Sequence, residues 1–220
     1  MLPNNILRQT IMEESRKAGA SHIGSALSCL EILEAASMME EPKRIILSKG
    51  HAAAALYAIN GKTGFEESGT DLWGHPTLKN SEATTGSLGH GLPMAVGMAY
   101  AGRETHIYCI VGDGEMNEGS NWEALQFIGQ HNLNNLTIII DTNGWQGFGK
   151  DKDILGRHPL AAKIGGFGLE TTETDGHDVK ALLAEMKKSA KTPKAIIAKT
   201  IKGKGWKEVE NTLESHYKRA

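Results

Sequence analysis

Two uninterrupted apolar runs, each followed by a polar residue beside a glycine, constrain the fold of this chain most. The first run, HIYCIV (106–111), is followed by GDG (112–114), and the second, LTIIID (136–141), is followed by TNG (142–144). Runs of this length and composition are typical of strands buried on both faces of a parallel sheet. We therefore predict two neighbouring parallel strands that end in polar loops.

Strands and helices alternate along the rest of the chain. The pattern predicts helices over 4–19, 28–38, 51–59, 88–101, 118–131 and 178–190, and further strands over 44–47, 169–174 and 194–200. Ser28, with Glu31 three positions later, is typical of a capping box at the start of its helix. Residues 60–87 read as one long loop, of a length that suggests function. The alternation predicts an α/β fold, a doubly wound and mostly parallel sheet with helices on both faces.

Length and charge narrow the function classes. The 220 residues suit one domain, 1–220, but not two. A net charge of −2 gives no reason to expect nucleic acid or an anionic membrane as partner. No apolar run approaches the roughly 18 residues of a membrane-spanning helix, and the N-terminus does not resemble a signal peptide. Cys29 and Cys109 lie among apolar neighbours, as buried free thiols of a cytoplasmic protein do.

The polar residues after the two central strands predict a metal site. In a doubly wound sheet, ligands bind beyond the carboxyl ends of the strands, where Asp113 and, 30 positions later, Asn143 are expected to converge. A carboxylate and a carboxamide suit Mg²⁺, which phosphate oxygens commonly complete. Gly112 and Gly114 permit close approach of a phosphate, and the following helix offers N–H groups. The alternative for GDG alone is an ordinary turn whose Asp caps a helix.

Five histidines form a second group of candidate site residues. They stand beside glycine or other small residues in predicted loops: His22, His51, His75, His90 and His216. A lone loop histidine is more often a bystander. This chain, however, has several such histidines together with a predicted diphosphate site. As a group, these histidines can bind phosphate and sugar hydroxyls and relay protons near neutral pH.

Taken together, these motifs resemble the N-terminal half of transketolases. GDG followed by Asn resembles the thiamine diphosphate-binding motif of the family. Further segments resemble those of the family, occur in the same order and span nearly the whole chain. They are SHIGSALS, ILSKGHAAAALYA, TTGSLGHGLPMAVGMA, IVGDGEMNEGSNWEA, DTNGWQ, TDGHD and AKTIKGKG. The chain stops near where the pyrimidine-binding domain of a full-length transketolase begins, which resembles the N-terminal subunit of a split transketolase.

The resemblance implies a role for individual residues. It implies that Asp113, Asn143 and the backbone carbonyl of Trp145 hold Mg²⁺. The residues implied to contact thiamine diphosphate are His51, Gly86, Ser87, Leu88, Gly112, Asp113, Gly114, Asn143 and His216. His22, His75 and His216 would face the sugar, and Glu118 would lie at the subunit interface, near the activating glutamate of the partner. The C-terminal segment, about 203–220, reads from composition as a solvated tail, whereas the resemblance makes it part of the active site.

The implied reaction is transfer of a two-carbon ketol unit from a ketose, or ketose phosphate, to an aldose. The resemblance also implies a C-terminal, pyrimidine-binding partner subunit, two copies of each subunit, and no activity for the isolated chain. His90 stands where the family usually has Gln, and the connections around 38–47 and 60–75 look short, so the sugar stays open. The alternatives are a deoxyxylulose phosphate synthase-like condensation, 2-oxo acid decarboxylation, and a non-catalytic subunit that retains the fold.

Overall fold

The computed structural model describes residues 3–61, 81–155, 159–189 and 191–219. The helices in these ranges are α1 (Asn4–Ala18), α2 (Ile23–Ser28), α3 (Leu30–Ser37), α4 (Ala53–Ile59), α5 (Gly91–Ala101), α6 (Gly119–Gln130), α7 (Asp151–Ile154), α8 (Leu160–Gly165), α9 (Val179–Lys187) and α10 (Glu214–Tyr217). The strands are β1 (Lys43–Leu47), β2 (His106–Gly112), β3 (Leu136–Thr142), β4 (Trp145–Gln146), β5 (Gly149–Lys150), β6 (Glu170–Asp175) and β7 (Lys194–Lys199). Short 3₁₀ turns cover Gly50–Ala52 and Gly114–Asn117.

The main sheet has five parallel strands in the order β1-β2-β3-β7-β6. Alternate side chains of its central strands point to opposite faces, as the pleat requires. Tyr108 and Ile110 of β2 pack with α1–α4 and α9, whereas Cys109 and Val111 pack with α5, α6 and α8. The predicted doubly wound parallel sheet is confirmed, and the two apolar runs are its central strands.

Strand register brings the polar strand ends to one edge of the sheet. Gly112 of β2 pairs with Asp141 of β3, and Asp141 pairs with Ala198 of β7. Because the strands are parallel and in this register, the residues just after β2 and β3 emerge side by side. This edge of the sheet is where the candidate site lies.

The predicted capping box at Ser28 and Glu31 is wrong. Ser28 ends α2 rather than starting a helix, and its Oγ donates to Asp141 Oδ2 at 2.6 Å. Glu31 accepts from Arg8 Nη2 at 2.5 Å and lies 3.0 Å from His177 Nδ1. Both side chains make tertiary contacts with distant residues, which a local capping pattern does not reveal.

The reading of the C-terminal segment as a solvated tail is also wrong. Trp206, Val209 and Ser215 are buried. A Cβ placed on Gly24 of α2 would lie 2.5 Å from Ser215 Oγ, so only glycine permits this approach. His22 N donates to the His216 carbonyl at 3.1 Å, which fixes the segment along the start of α2.

Two predictions concern parts of the chain that the structure covers incompletely or not at all. The predicted loop 60–87 is described only at its two ends, and His75 lies outside the described residues. Within the described ranges, none of the helices has the length and apolarity needed to cross a membrane.

Candidate active site

The three predicted metal ligands meet at the edge of the sheet. Asp113 Oδ2 accepts from Gly144 N at 2.6 Å, and Asp113 Oδ1 accepts from Gly114 N at 2.8 Å. Asn143 Oδ1 accepts from Trp145 N at 3.0 Å. All three predicted ligands line one small cavity of about 110 Å³. The sequence pattern predicts the convergence of Asp113 and Asn143 at adjacent strand ends, and Trp145 was added by the family resemblance.

The surroundings of Asp113 disfavour its negative charge. Burial, and then the neighbouring Asp141 carboxylate, raise the pKa of Asp113 to about 7. The backbone N–H groups of Gly144 and Gly114 donate to the carboxyl group and lower its pKa, but they offset only part of this increase. A bound divalent cation would reverse this effect, because it is the largest local charge in such a site. The carboxyl group therefore fits a metal ligand.

A buried ion pair lies beside these ligands. Lys49 Nζ contacts Asp141 Oδ2, and both side chains are almost fully buried. Thr200 Oγ1 also donates to the Asp141 carboxylate, and Asn143 Nδ2 donates to it at 3.3 Å. Burial opposes both charges, but their attraction outweighs it, so the pKa of Asp141 is lowered and that of Lys49 is raised. The sequence interpretation assigned neither residue a role, although each stands at or just beyond the carboxyl end of a strand.

A short turn separates the GDG segment from the predicted helix that follows it. A 3₁₀ turn follows Asp113, and α6 begins only at Gly119, so no α-helix starts directly behind GDG. Within this turn the buried carboxylate of Glu115 accepts from Ser48 Oγ, from Gly89 N at 3.0 Å and from Gly112 N at 3.2 Å. This carboxylate ties the loop before α5 to the end of β2.

The predicted cofactor loop at residues 86–88 lies against the end of β1. A Cβ on Gly50 would lie 2.6 Å from the Thr85 carbonyl carbon, so glycine permits the approach. Gly86 has φ +139°, which favours glycine. Ser87 and Leu88 are exposed, and Leu88 lines the cavity. His90, which also lies at this loop, is exposed and does not border the cavity.

Three of the predicted histidines form a cluster. The ring centroids of His22 and His216 lie 4.7 Å apart, those of His22 and His51 5.6 Å, and those of His51 and His216 5.8 Å. His51 and His216 line the cavity that holds the metal ligands. His22 has the left-handed φ of +64° that turns the chain into α2. The structure thus brings together three of the five histidines selected from the sequence.

Two of the clustered rings are neutral at pH 7 in this structure. Burial and then the Lys202 ammonium lower the pKa of His216 to about 3. Burial and then Lys49 hold the pKa of His51 well below its usual value. Since Lys202 Nζ lies 2.9 Å from His216 Nδ1 and an ammonium only donates, the His216 proton sits on Nε2. In this structure both rings are therefore neutral hydrogen-bonding groups.

Lys202 is a site residue that the sequence interpretation missed. Its side chain is buried, and its Nζ donates to the Trp145 carbonyl at 3.3 Å. Burial and then Lys49 lower the pKa of Lys202 to about 8, so it remains mostly charged at pH 7. With Lys49 and Ser25, it gives the cavity a cationic and hydrogen-bonding wall suited to an anion. Its position in the AKTIKGKG word was the available signal.

The outer rim of the cavity is apolar and exposed. Phe148, at the turn between β4 and β5, is 88% exposed, and Leu88 is 37% exposed. Both border the cavity. Glu118, at the start of α6, is exposed and lies beside Gly89, whose added Cβ would be 2.7 Å from Glu118 Cβ.

The donor set fits Mg²⁺ with a diphosphate. Carboxylate, carboxamide and carbonyl oxygens are hard donors, too few to fill an octahedron, and the adjoining ammonium and imidazole groups suit phosphate oxygens. Within the described ranges, no group of three His, Cys, Asp or Glu side chains is arranged to hold a metal. A site of this kind therefore relies on oxygens from Asn143, the backbone and the ligand.

Comparison with known protein families gives one match over nearly the whole chain. Residues 4–218 match the family model for the transketolase thiamine diphosphate-binding domain. An apulose-4-phosphate transketolase subunit of Actinobacillus succinogenes is 36% identical over 243 residues, which covers 97% of this chain and 88% of that protein. The 6-deoxy-6-sulfo-D-fructose transketolase subunit SqwG of a Clostridium species is 36% identical, and the match covers 88% of that protein.

Full-length relatives are matched over part of their length. Human transketolase is 35% identical over 244 residues, which is 97% of this chain but 39% of the human protein. The crystal structure of Campylobacter jejuni transketolase superposes with a TM-score of 0.83 and 28% identity, over 97% of this chain and 39% of that one. The chain thus spans most of the two subunits and about two fifths of the full-length relatives.

Proposed function

The chain belongs to the thiamine diphosphate-binding domain family of transketolases, and from this premise we propose that it is the cofactor-binding subunit of a two-subunit transketolase. The complete enzyme moves a two-carbon ketol unit from a ketose to an aldose. The observation that carries the proposal is the meeting of Asp113, Asn143 and Trp145 beside a histidine cluster in one cavity. A metal-diphosphate site and a polar sugar site adjoin there.

Each predicted residue has a proposed task. Asp113, Asn143 and the Trp145 carbonyl hold Mg²⁺. Gly112 and Gly114 leave space for the diphosphate next to the metal, His51 and His216 bind its oxygens, and Gly86, Ser87 and Leu88 line the rest of the cofactor. His22, His75 and His216 face the sugar, with His75 assigned by the family resemblance alone.

The chemistry divides between cofactor and chain. When bound, thiamine diphosphate supplies an electron sink for the pair of electrons released as a carbon–carbon bond next to a ketose carbonyl breaks. The imidazoles of His22 and His216 orient the sugar through hydrogen bonds to its hydroxyl groups. His216 donates to the sugar through its Nε2–H, because its Nδ1 accepts a hydrogen bond from Lys202. The buried charges of Lys49 and Asp141 keep the strand ends in place.

The partner that we propose is a C-terminal, pyrimidine-binding subunit, with two copies of each chain in the assembly. Two observations support it. The relatives that this chain covers to 88% are named as subunits, and the cavity rim carries the exposed apolar side chains of Phe148 and Leu88. Glu118, exposed beside that rim, is the proposed contact to the partner's activating glutamate. The buried free thiols of Cys29 and Cys109 support a reducing, cytoplasmic location.

The sugar is a sugar phosphate or a related anionic sugar. The two similar subunits are named for apulose 4-phosphate and 6-deoxy-6-sulfo-D-fructose. Xylulose 5-phosphate, apulose 4-phosphate and 6-deoxy-6-sulfofructose form the natural panel of donors. The rival reactions, decarboxylation and synthase-like condensation, use pyruvate, which has no polyol for the histidines to bind.

Reconstitution tests this proposal. The chain is mixed with a pyrimidine-binding subunit encoded next to it, with thiamine diphosphate and Mg²⁺, and the products from each donor and from pyruvate are identified. We expect ketol transfer from at least one sugar donor only when both subunits are present. Products from pyruvate but from no ketose would support the rival reactions, and no cofactor binding would support a non-catalytic subunit.

Asp113→Ala refines this test. It removes one of the few protein oxygens on the metal, so we expect Mg²⁺-dependent thiamine diphosphate affinity to fall at least 100-fold in calorimetric titrations. Asp153→Ala, which changes an exposed aspartate of α7, serves as control and is expected to bind like the parent. Unchanged Mg²⁺-dependent affinity in the Asp113 variant would refute its assignment as a metal ligand.

A further inference from the structure

The C-terminal segment crosses the loop that follows β3. We call residues 143–147 the β3 loop and residues 202–219 the C-terminal segment. Trp145 Nε1 donates to Asn211 Oδ1 at 2.8 Å, and Tyr217 Oη donates to the Gly147 carbonyl at 2.6 Å. Lys202 Nζ donates to the Trp145 carbonyl at 3.3 Å. Three side chains of one segment therefore hold three points of the loop that carries two of the proposed metal ligands.

Asn211 is itself fixed in place. Its φ of +58° lies in the left-handed region, which asparagine tolerates better than other residues with a side chain. Its N–H donates to the Lys202 carbonyl at 2.7 Å. Its Oδ1 is thus a fixed acceptor, and the indole of Trp145 is anchored to a defined point.

The anchoring determines how Trp145 presents its carbonyl. The N–H of Trp145 is bound by Asn143 Oδ1, its side chain by Asn211, and its backbone pairs with Lys150 across the β4–β5 hairpin. With the residue held at these points, the carbonyl direction is set before a metal binds. Such preorganisation raises affinity because less freedom is lost on binding.

We propose that Asn211 is a positioning residue for the Trp145 carbonyl, and that through it the packing of the C-terminal segment is coupled to metal binding. The inference rests on the proposed function, because it assumes that the Trp145 carbonyl binds Mg²⁺. The coupling is reciprocal: if the segment improves metal affinity, the bound metal also stabilises the segment.

The test compares two substitutions at Asn211 in the full chain. Asn211→Gly keeps the left-handed backbone and removes the acceptor, whereas Asn211→Asp keeps both. Mg²⁺ is titrated calorimetrically in the presence of the pyrimidine-binding subunit and saturating thiamine diphosphate. We expect the Mg²⁺ dissociation constant to rise about three- to tenfold in Asn211→Gly, the effect of one partly exposed hydrogen bond. In Asn211→Asp it stays within about twofold of the parent.

A double-mutant cycle identifies the contact. Trp145→Phe removes the indole N–H and keeps the ring and the carbonyl. If the two residues act through one hydrogen bond, the double variant binds Mg²⁺ no more weakly than either single variant. Lys207→Ala, at an exposed position of the same segment, is the control and leaves the dissociation constant unchanged.

The outcomes separate the two proposals. A parent chain that shows no Mg²⁺-dependent binding in the presence of the pyrimidine-binding subunit would overturn the proposed function, and this inference with it. A parent that binds, together with an Asn211→Gly variant of equal affinity, would overturn only the inference. A variant with a lower Tm but an unchanged dissociation constant would do the same, since it would show a merely structural role.

Discussion

At the scale of single residues, burial and the nearest charged neighbour together decide which side chains of the site are charged. Asp113, with a carboxylate neighbour and no close cationic hydrogen-bond partner among the described residues, has a pKa raised to about 7. His216, next to an ammonium, has a pKa lowered to about 3. Lys49 and Asp141 remain charged although more deeply buried, because each is the other's partner. The site thus combines neutral imidazoles with a carboxyl group suited to a cation.

His106 gives a pH prediction away from the site. Burial and then the Lys194 ammonium lower its pKa to about 4. The unfolded chain takes up this proton near pH 6.5 and the folded chain only near pH 4, so folded-state stability present above pH 6.5 is lost as pH falls through this window. Between pH 7 and 4.5, the free energy of unfolding falls in both proteins. We expect it to fall by about 1 kcal/mol less in His106→Gln than in the parent, after solvent screening is allowed for.

Urea unfolding at several pH values measures this difference. Gln keeps a group able to bond with Thr137 Oγ1, which lies 2.9 Å from His106 Nε2. His131→Gln, at the exposed end of α6, is the control. A pH profile of His106→Gln that parallels the parent's would show that this ring does not titrate as described.

At the scale of secondary-structure elements, the buried carboxylate of Asp141 in β3 connects the ends of β1, α2 and β7. Asp141 belongs to β3, and it receives Lys49 from the end of β1, Ser28 from the end of α2 and Thr200 from just beyond β7. These contacts fix the spacing of the strand ends from which the metal ligands project. The prediction of the sheet did not include them, because charged residues at strand ends carry no period and their partners lie 59 to 113 positions away.

Lys49→Met tests this junction. It leaves Asp141 buried without its cation, so we expect a loss of about 3 to 5 kcal/mol in the free energy of unfolding. The double variant Lys49→Met/Asp141→Asn removes both charges and should recover most of the loss. Urea unfolding measures both variants. A single variant within about 1 kcal/mol of the parent would mean that the pair contributes little to the fold.

Gly24→Ala tests the docking of the C-terminal segment on α2. The new Cβ would lie 2.5 Å from Ser215 Oγ and 2.6 Å from its carbonyl, so the segment must shift. We expect a loss of about 1 to 3 kcal/mol and faster tryptic cleavage within the segment. Gly97→Ala is the matched control, because no atom lies within 4 Å and a gain of about 0.5 to 1 kcal/mol is expected in a helix. Equal cleavage of the Gly24 variant and the parent would contradict the contact.

At the scale of the whole molecule, the sheet was predictable and several contacts around the site were not. Buried parallel strands have an unmistakable apolar pattern, and their shared direction brings Asp113 and Asn143 together without knowledge of side chains. The packing of the C-terminal segment was not predictable from composition, since its burial rests on Gly24 and Ser215, distant in sequence. The histidine cluster was selected correctly in part, because no local pattern separates His22 from His90.

Phe148 gives a prediction about assembly. Its ring is 88% exposed at the cavity rim, and we propose that the partner subunit covers it. We expect Phe148→Ser to weaken association with the pyrimidine-binding partner at least tenfold in ultracentrifugation, with the Tm of the isolated chain unchanged. Ile6→Ser, on the exposed side of α1, should leave association unaffected. Equal association of the Phe148 variant and the parent would remove this residue from the interface.

We propose that the ends of β2 and β3 together bind one divalent ion and a diphosphate. Crystals grown with Mn²⁺ and thiamine diphosphate, measured at the manganese absorption edge, locate the ion directly. We predict a single anomalous peak in contact with the carboxylate of Asp113, the amide oxygen of Asn143 and the carbonyl of Trp145. A peak elsewhere, or cofactor density without a peak at this position, would contradict the account.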